Sequence, residues 1–263
     1  MVWLKNTSPN MYSTNLTDSQ WEVIQLYLPV QRKRRYSLRA VVNATLYVLK
    51  TGCQWRMLPP DFPPYQLVYY YFRSWTVSGR WQGLNQQLNR LYRLLEGRQS
   101  SPSVAIVDSQ SVKNSERGIS GTGFDGHKRI KGRKRHLAVD TLGLILAVSL
   151  TAANLHDSKA AFGLFEILAE QGYQRLETIL ADSAYRGSLQ NWSKEKLGWK
   201  VEIATAVKGY QNGFEITPQR WKVERTISWL QWSRRLAKDY EANTNSAVAF
   251  VLLSNINRIR MKF

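Results

Sequence analysis

In the first third of the chain, apolar residues recur three and four positions apart, which is the spacing of one buried face of an α-helix. The clearest run extends from Leu38 to Leu49, where Ser37 can cap the first turn and Gly52 can end the last one. Weaker runs of the same kind predict a helix that starts at Thr17 or Asp18 and stops before Pro29, one over 65–75 and one over 84–95. We therefore predict an all-α domain at 1–80, followed by a connecting helix and linker at 81–102.

From residue 103 onward, short apolar runs that end at Asp or Gly alternate with amphipathic segments. The amphipathic segments predict helices over 158–170, 187–197, 219–236 and 247–261. The apolar runs predict five strands, at 104–107, 137–139, 144–150, 178–180 and 201–204. Three strands followed by helix, strand, helix, strand and helix is the order of a ribonuclease-H-like fold. Residues 103–263 are therefore predicted to form an α/β domain with a mixed five-stranded sheet flanked by helices.

The balance of charges indicates a polyanionic partner. Lys and Arg total 37 against 19 Asp and Glu, a formal net charge of +18. Nucleic acid attracts such a charge over a long range, whereas the sequence offers no membrane span, basic amphipathic membrane helix or signal peptide. The single cysteine, Cys53, excludes an intrachain disulfide. We expect a cytoplasmic, nucleoid-associated protein that binds double-stranded DNA and has no membrane partner.

Two aspartates end buried apolar runs, Asp108 after VAIV and Asp182 after ILA. Both carboxylates are therefore predicted at the carboxyl ends of strands, where α/β sheets bind ligands. Glu224, in the helix predicted over 219–236, is the proposed third acid. Taken singly, each acid has a plainer interpretation as a turn cap or a helix surface residue. Together, the three carboxylates suit two Mg²⁺ or Mn²⁺ ions, which would activate an attacking oxygen and stabilise a leaving oxygen at phosphorus.

Three other glutamates compete for the role of third acid. Glu202 lies inside a predicted strand, Glu215 lies in a glycine-containing loop, and Glu241 follows the predicted helix and is expected to be exposed. Glu224 is preferred because the apolar stripe of its helix can pack on the sheet while the glutamate faces the crevice at the strand ends.

Basic residues concentrate in two segments. QRKRR at 31–35 makes the predicted three-helix unit compatible with a helix-turn-helix DNA reader, although a structural or dimerising cap is the alternative. HKRIKGRKRH at 127–136 leads into the second predicted strand and is expected to track DNA phosphates, with a solvated hairpin edge as its alternative. The candidate DNA contacts are Arg32, Lys33, Arg34, Arg35, Lys113, Lys128, Arg129, Lys131, Arg133, Lys134, Arg135, Arg220, Arg234 and Arg235.

Several segments also carry a resemblance to a known family: LTDSQWEVIQLYLP, VVNATLYVLKTGCQWRMLPPDFPP, YYYFRSW, VDSQSVK, KGRKRHLAVDTLGL, ADSAYRG, RWKVERTISWL and RRLAKDYE. They resemble bacterial insertion-sequence transposases of the IS-five group, within the wider DDE transposases. The resemblance implies that Asp108, Asp182 and Glu224 match the family's acidic triad and that the first segments form its DNA-binding module. It also implies cleavage and joining of element ends by a dimer or a larger synaptic assembly.

Related transposases carry a Tyr, Arg, Glu, Lys signature around the glutamate. Arg220 and Glu224 match it at the expected separation, whereas Thr217 and Gln231 replace the tyrosine and the lysine. One of the arginines at 234–235 is predicted to substitute for the lysine, because a continuous helix would place residue 235 on nearly the same face as the glutamate.

An aspartate before a predicted helix, three tryptophans near Glu224 and two alternative functions remain to be considered. Asp157 is predicted to cap the helix that follows it rather than to bind metal. Most of the tryptophans at 221, 229 and 232 are expected in the core, although one can stack on an unpaired DNA base. The rival functions are a ribonuclease-H-like nuclease for repair or RNA hybrids, and a non-catalytic DNA-binding protein derived from a transposase.

Overall fold

The computed structural model describes residues 12–115, 119–203 and 220–263. Up to residue 95, the described chain forms four α-helices: α1 (Asp18–Gln25), α2 (Leu38–Thr51), α3 (Tyr65–Val77) and α4 (Arg80–Leu95). Thr17 caps α1, and Ser37 caps α2. Gly52 ends α2 with a φ of 71°, a left-handed conformation that favours glycine. The predicted N-terminal helices are thus confirmed together with their caps.

One mixed sheet follows. Within the described ranges it has six strands: β1 (Val104–Lys113), β2 (Gly123–Asp125), β3 (Ile130–Val139), β4 (Ile145–Ala152), β5 (Thr178–Ala181) and β6 (Lys200–Ile203). β1 pairs with β3 in antiparallel and with β5 in parallel orientation, β4 lies beyond β3, and β6 lies beyond β5. The order β4-β3-β1-β5-β6 is ribonuclease-H-like, as predicted.

Helices cover both faces of this sheet: α5 (Asp157–Glu170), α6 (Ser188–Leu197), α7 (Trp221–Leu230) and α8 (Thr244–Ile259). Side chains alternate between the two faces along each strand. On β1, Ala105 and Val107 pack in the core with α5 and α6, whereas Ile106 packs in the core with α7 and α8. The sheet is therefore buried between two helical layers.

Several elements differ from the prediction, among them β1, which continues to Lys113 rather than ending at residue 107. β2 was not predicted, because its three residues are too few to show a hydrophobic period. β3 begins at Ile130 rather than at residue 137, and its buried arginines are accommodated because Asp239 and the Leu236 carbonyl accept their hydrogen bonds. α7 ends at Leu230 instead of continuing to residue 236, and a separate 3₁₀ turn follows at Arg234–Leu236.

Helix α8 joins the N-terminal helices to the sheet. Phe250 of α8 stacks on Phe72 of α3 with ring centroids 4.7 Å apart. The Asn255 amide donates to the side-chain oxygens of Asn85 and Asn89 on α4, at 2.7 and 2.9 Å. These two α4 amides in turn donate to the Ile145 carbonyl of β4. The N-terminal helices and the sheet domain therefore share one hydrophobic core. The predicted domain boundaries at 80 and 102 remain a proposal about which part of the chain performs which function.

Candidate active site

Asp108 and Asp182 occupy matching positions on neighbouring parallel strands. Ile106 of β1 pairs with Leu180 of β5. Asp108 lies two residues after Ile106, and Asp182 lies two residues after Leu180, directly beyond the end of β5. Alternation places both carboxylates on the face that Ile106 and Leu180 share, which is the face covered by α7. The register of the sheet thus brings together two acids that are far apart in sequence.

Each aspartate is oriented by the backbone. The Ser109 amide donates to Asp108 Oδ1 at 2.7 Å, and the Ala184 amide donates to Asp182 Oδ1 at 2.9 Å. The pKa of Asp108 is raised to about 6, mainly by burial and to a smaller extent by the charge of Asp182, against the opposing effects of the Ser109 amide and the Arg220 guanidinium. The site therefore holds closely spaced negative charge that a cation would stabilise.

Glu224 reaches the same face from α7. Val223 and Leu230 bury one side of this helix, and the Thr226 hydroxyl donates to the Gly143 carbonyl in the β3–β4 turn at 3.0 Å. Gly143 has a φ of 79°, and a Cβ there would lie 2.7 Å from Thr226 Oγ1, so only glycine allows this close contact. The anchored helix leaves the Glu224 side chain 50% exposed.

Arg220 connects the second and third acids. Its Nη2 atom lies 2.7 Å from Glu224 Oε1, and its Nη1 atom lies 3.6 Å from Asp182 Oδ2. Among residues 12–115, 119–203 and 220–263, no group of three or more His, Cys, Asp or Glu side chains lies close enough to hold a metal ion. Glu224 is thus directed to the guanidinium rather than to the two aspartates.

The predicted basic segment at 127–136 divides into an exposed and a buried part. Lys128, Arg129 and Lys131 are exposed in the turn before β3 and at its start, and Lys113 is exposed at the end of β1. The charge of Lys128 lowers the pKa of Asp108, which places this lysine near the carboxylates. These four residues remain candidate DNA contacts.

The prediction of DNA contact is wrong for Arg133, Lys134 and Arg135, which are 1%, 7% and 2% exposed. Arg133 Nε donates to Asp239 Oδ2 at 2.5 Å, and Lys134 Nζ lies 2.9 Å from Asp157 Oδ1. Arg135 donates to the Leu236 carbonyl at 2.9 Å. Buried cations need such partners, so these side chains hold segment 234–241 and the start of α5 against the sheet.

The predicted role of Arg235 is also wrong. It lies beyond the end of α7, is 9% exposed, and its Nη2 atom lies 2.7 Å from Glu241 Oε1. Glu241 was expected on the surface, but its side chain is only 12% exposed. Burial raises the pKa of Glu241, and the charge and hydrogen bond of Arg235 oppose that shift. Of the two arginines, only Arg234 is exposed, and it stays a candidate.

Two further expectations are corrected. The N-cap of α5 is His156, whose side chain accepts from the Ser158 amide, rather than Asp157. The tryptophans around α7 are not core residues: Trp221 is 39% and Trp232 is 64% exposed. The Arg225 guanidinium instead lies 4.4 Å from the Trp221 ring centre and 4.5 Å from that of Trp229, in cation–π geometry.

The N-terminal basic residues lie in the loop between α1 and α2. Arg32, Lys33 and Arg35 are exposed, and Arg34 is half-buried. Sequence reasoning overlooked Arg80, which lies near this loop, because it is an isolated charge at a helix start. It also overlooked Tyr185, buried beside the carboxylates, whose pKa is raised well above its usual range by burial and by Asp157, Asp108 and Asp182. The sequence signal that could have identified Tyr185 is the ADSAY segment, in which a tyrosine follows the strand-end acid Asp182 by three residues.

Comparisons with known proteins agree with this architecture. The family "Transposase DDE domain" matches residues 99–256, and "Putative transposase of IS4/5 family" matches residues 16–85. The chain therefore belongs to the DDE transposases, in the IS4/5 group. The resemblance inferred from the sequence is confirmed.

Two relatives come from Burkholderia cepacia. The "Putative transposase for insertion sequence element IS402" is 30% identical over 46% of this chain and 60% of its own length. The "Insertion element IS402 uncharacterized 16.2 kDa protein" is 33% identical over 37% of this chain and 72% of its own length. The chain thus spans less than two thirds of the first relative.

A solved structure, "Mos1 transposase paired-end complex with left transposon end", aligns at 12% identity with a TM-score of 0.28, over 80% of this chain and 81% of that chain. The assignment of a ribonuclease-H-like fold therefore rests on the strand order of the sheet and not on this alignment. Separately, no helix within the described ranges has the length and hydropathy to cross a membrane.

Proposed function

We propose that this protein nicks the ends of its own mobile element and joins their 3′ hydroxyl ends to target DNA. The supporting observation is the placement of Asp108 and Asp182 at matching strand ends on the face covered by the helix of Glu224. Water is the nucleophile for nicking, and a DNA 3′ hydroxyl is the nucleophile for joining. Because two ends must be held together, the protein acts on double-stranded DNA as a homodimer or a larger synaptic assembly.

Divalent metal ions are the cofactors that the DDE transposase family uses, and the acids of this site suit them. Asp108 and Asp182 offer hard oxygen ligands, and the pKa of Asp108, raised mainly by burial, shows that its charged form is disfavoured in this site, which a bound cation would offset. We propose that these two residues and Glu224 hold two Mg²⁺ or Mn²⁺ ions. Bound there, the ions would supply charge stabilisation for the attacking and leaving oxygens.

Arg220 has a defined part in this proposal. Its guanidinium provides the positive charge between Asp182 and Glu224, so Glu224 joins a metal shell only after this ion pair opens. A DNA phosphate is a suitable new partner, because guanidinium binds phosphate and carboxylate with similar geometry. DNA binding and metal binding would then favour each other, as linkage requires.

The first prediction concerns the cofactor. With a DNA fragment that includes the regions flanking the coding sequence, Mg²⁺ or Mn²⁺ is expected to support nicking and strand transfer, and Ca²⁺ is expected to support binding with little chemistry. Gel analysis of cleaved and joined products measures both steps. Cleavage that persists in excess chelator would contradict the metal-dependent site, and nicking without joining would favour the nuclease alternative.

The second prediction concerns Arg220. In the absence of DNA, Arg220→Gln is expected to lower the Mn²⁺ concentration needed for half-maximal thermal stabilisation by roughly 5-fold or more, a typical coupling between two ligands. Lys222→Gln removes the same charge from the same helix. Its effect should be much smaller, because Lys222 forms no ion pair with an acid among the described residues. Equal shifts in both variants would show a general charge effect and contradict the role of Arg220.

A further inference from the structure

A groove lies between the loop at residues 29–36 and helix α3, with a volume of about 550 Å³. Loop residues Arg32, Lys33, Arg34 and Arg35 line it together with Arg80 of α4, and no acidic residue among those that the structure describes does so. We refer to it as the basic groove. Five cations around one groove without a carboxylate repel each other unless an anion binds between them.

Arg34 gives the loop its shape. Its Nη2 atom donates to the Pro29 carbonyl at 2.7 Å, and Nη1 donates to the Arg32 carbonyl at 2.5 Å. Its Nε atom donates to the Tyr71 hydroxyl on α3 at 3.1 Å. One planar guanidinium thus closes the loop on itself and fastens it to the helix, which a lysine amine with its single nitrogen cannot do.

The other loop cations remain available. Arg32, Lys33 and Arg35 are exposed, and none of them forms an ion pair with an acid in the part of the chain that the structure describes. Tyr70, 63% exposed, adds a hydroxyl donor on the α3 side. Because cations on the loop side and a hydroxyl donor on the α3 side are spread along the groove, they suit the regularly spaced phosphates of a nucleic-acid backbone better than a single small anion.

We infer that the basic groove binds the phosphodiester backbone of duplex DNA, with Arg32, Lys33, Arg35 and Arg80 as phosphate contacts and Arg34 as the residue that shapes the loop. This inference rests on the proposed function and deepens it, since it identifies how the N-terminal helices hold DNA. Phosphate contacts position a protein without reading sequence, so the groove serves element ends and target DNA alike.

The test measures binding of the full chain to a random-sequence duplex by fluorescence anisotropy across a range of NaCl concentrations. All titrations contain chelator, so that loss of catalysis cannot affect the result. The groove variant is Arg32→Gln, Lys33→Gln and Arg35→Gln combined. Its matched control combines Lys159→Gln, Lys194→Gln and Lys196→Gln, three exposed lysines of α5 and α6, on the opposite face of the sheet from α7.

Each lost phosphate contact lowers the slope of log K against log salt concentration by about 0.9. The groove variant is therefore expected to lose roughly 2–3 units of slope, and the control less than about 1. Equal losses in the two variants would overturn the inference, because they would show that only net charge matters. A groove variant that binds DNA with the wild-type slope would also overturn the inference. That result would not bear on the proposed metal-dependent cleavage and joining, because the binding titrations do not measure catalysis.

A charge-conserving pair tests the role of Arg34. Arg34→Lys keeps the charge but loses the planar guanidinium whose three nitrogens donate to the loop and to Tyr71, and it is expected to weaken DNA binding roughly 5-fold or more. Arg32→Lys should bind DNA nearly as the wild type does, because only its charge is needed. Circular dichroism and the thermal midpoint check that both variants fold. If Arg34→Lys proves unstable, Tyr71→Phe, which removes only the hydroxyl that anchors the loop, is expected to weaken binding in the same direction. Wild-type binding by a folded Arg34→Lys variant would overturn the role of Arg34.

Discussion

Glu224→Gln is expected to bind element-end DNA nearly as the wild type does and to lose nicking and strand transfer by roughly 100-fold or more. The amide has the shape of the carboxylate but cannot supply its negative charge to a metal ion. Folding should change little, since the side chain is 50% exposed and its ion pair with Arg220 is a surface one, worth about 0–1 kcal/mol. Activity on one intact and one pre-nicked substrate separates the two steps.

The matched controls are other glutamates of the same third of the chain. Glu202→Gln should keep near-wild-type activity, because Glu202 lies on β6, is 45% exposed and pairs with Lys200 at 2.7 Å. Glu215→Gln belongs in the same series, although Glu215 lies outside the described residues. Glu241 is unsuitable, since its replacement leaves Arg235 buried without its partner. Normal turnover by Glu224→Gln, with loss in either control, would move the third acid elsewhere.

Asp108→Asn is expected to make the metal-free protein more stable at neutral pH while abolishing catalysis. The pKa of Asp108 is raised by burial to about 6, above its value of about 3.9 in an unfolded chain. The folded state therefore keeps a proton that the unfolded state has lost between these values, so stability falls as pH rises from about 4 to 6. Removing the charge should recover about 1–3 kcal/mol above pH 6.

Urea unfolding in chelator at several pH values measures this effect. The difference between Asp108→Asn and wild type should grow from about pH 4 to 6 and then remain constant. Adding Mn²⁺ should stabilise the wild type and not the variant. A wild type more stable than Asp108→Asn at pH 7 in chelator would contradict the prediction.

Asp125 provides a control of opposite sign. Burial acts to raise the pKa of Asp125, but hydrogen bonds from the Lys128 amide and the Ser111 hydroxyl, together with nearby lysines, outweigh it and lower the pKa. Its carboxylate therefore contributes stability above its unfolded pKa, and that stability is lost as pH falls. Asp125→Asn should accordingly destabilise the protein at neutral pH, where Asp108→Asn stabilises it.

Much of this architecture was predictable because its signals are local. The periodic apolar positions of α2, with Ser37 before them and Gly52 after them, predict a helix from a single stretch of chain. Asp108 and Asp182 each directly follow an apolar run, and the order of strands and helices limits the sheet to a small number of topologies. The fold and two of the three candidate acids therefore followed from neighbouring residues alone.

Long-range pairs decided the rest. Arg133 and Arg135 had the composition of a DNA-binding segment, yet strand alternation turns both toward segment 234–241, where Asp239 and backbone carbonyls accept their hydrogen bonds. Glu241 is buried for a related reason, because Arg235 pairs with it after α7 has ended. A sequence records a charge but not its partner, and the partner determines whether that charge faces the core or DNA. The position of Arg220 between Asp182 and Glu224 likewise depends on how α7 packs against the sheet, which only the tertiary structure determines.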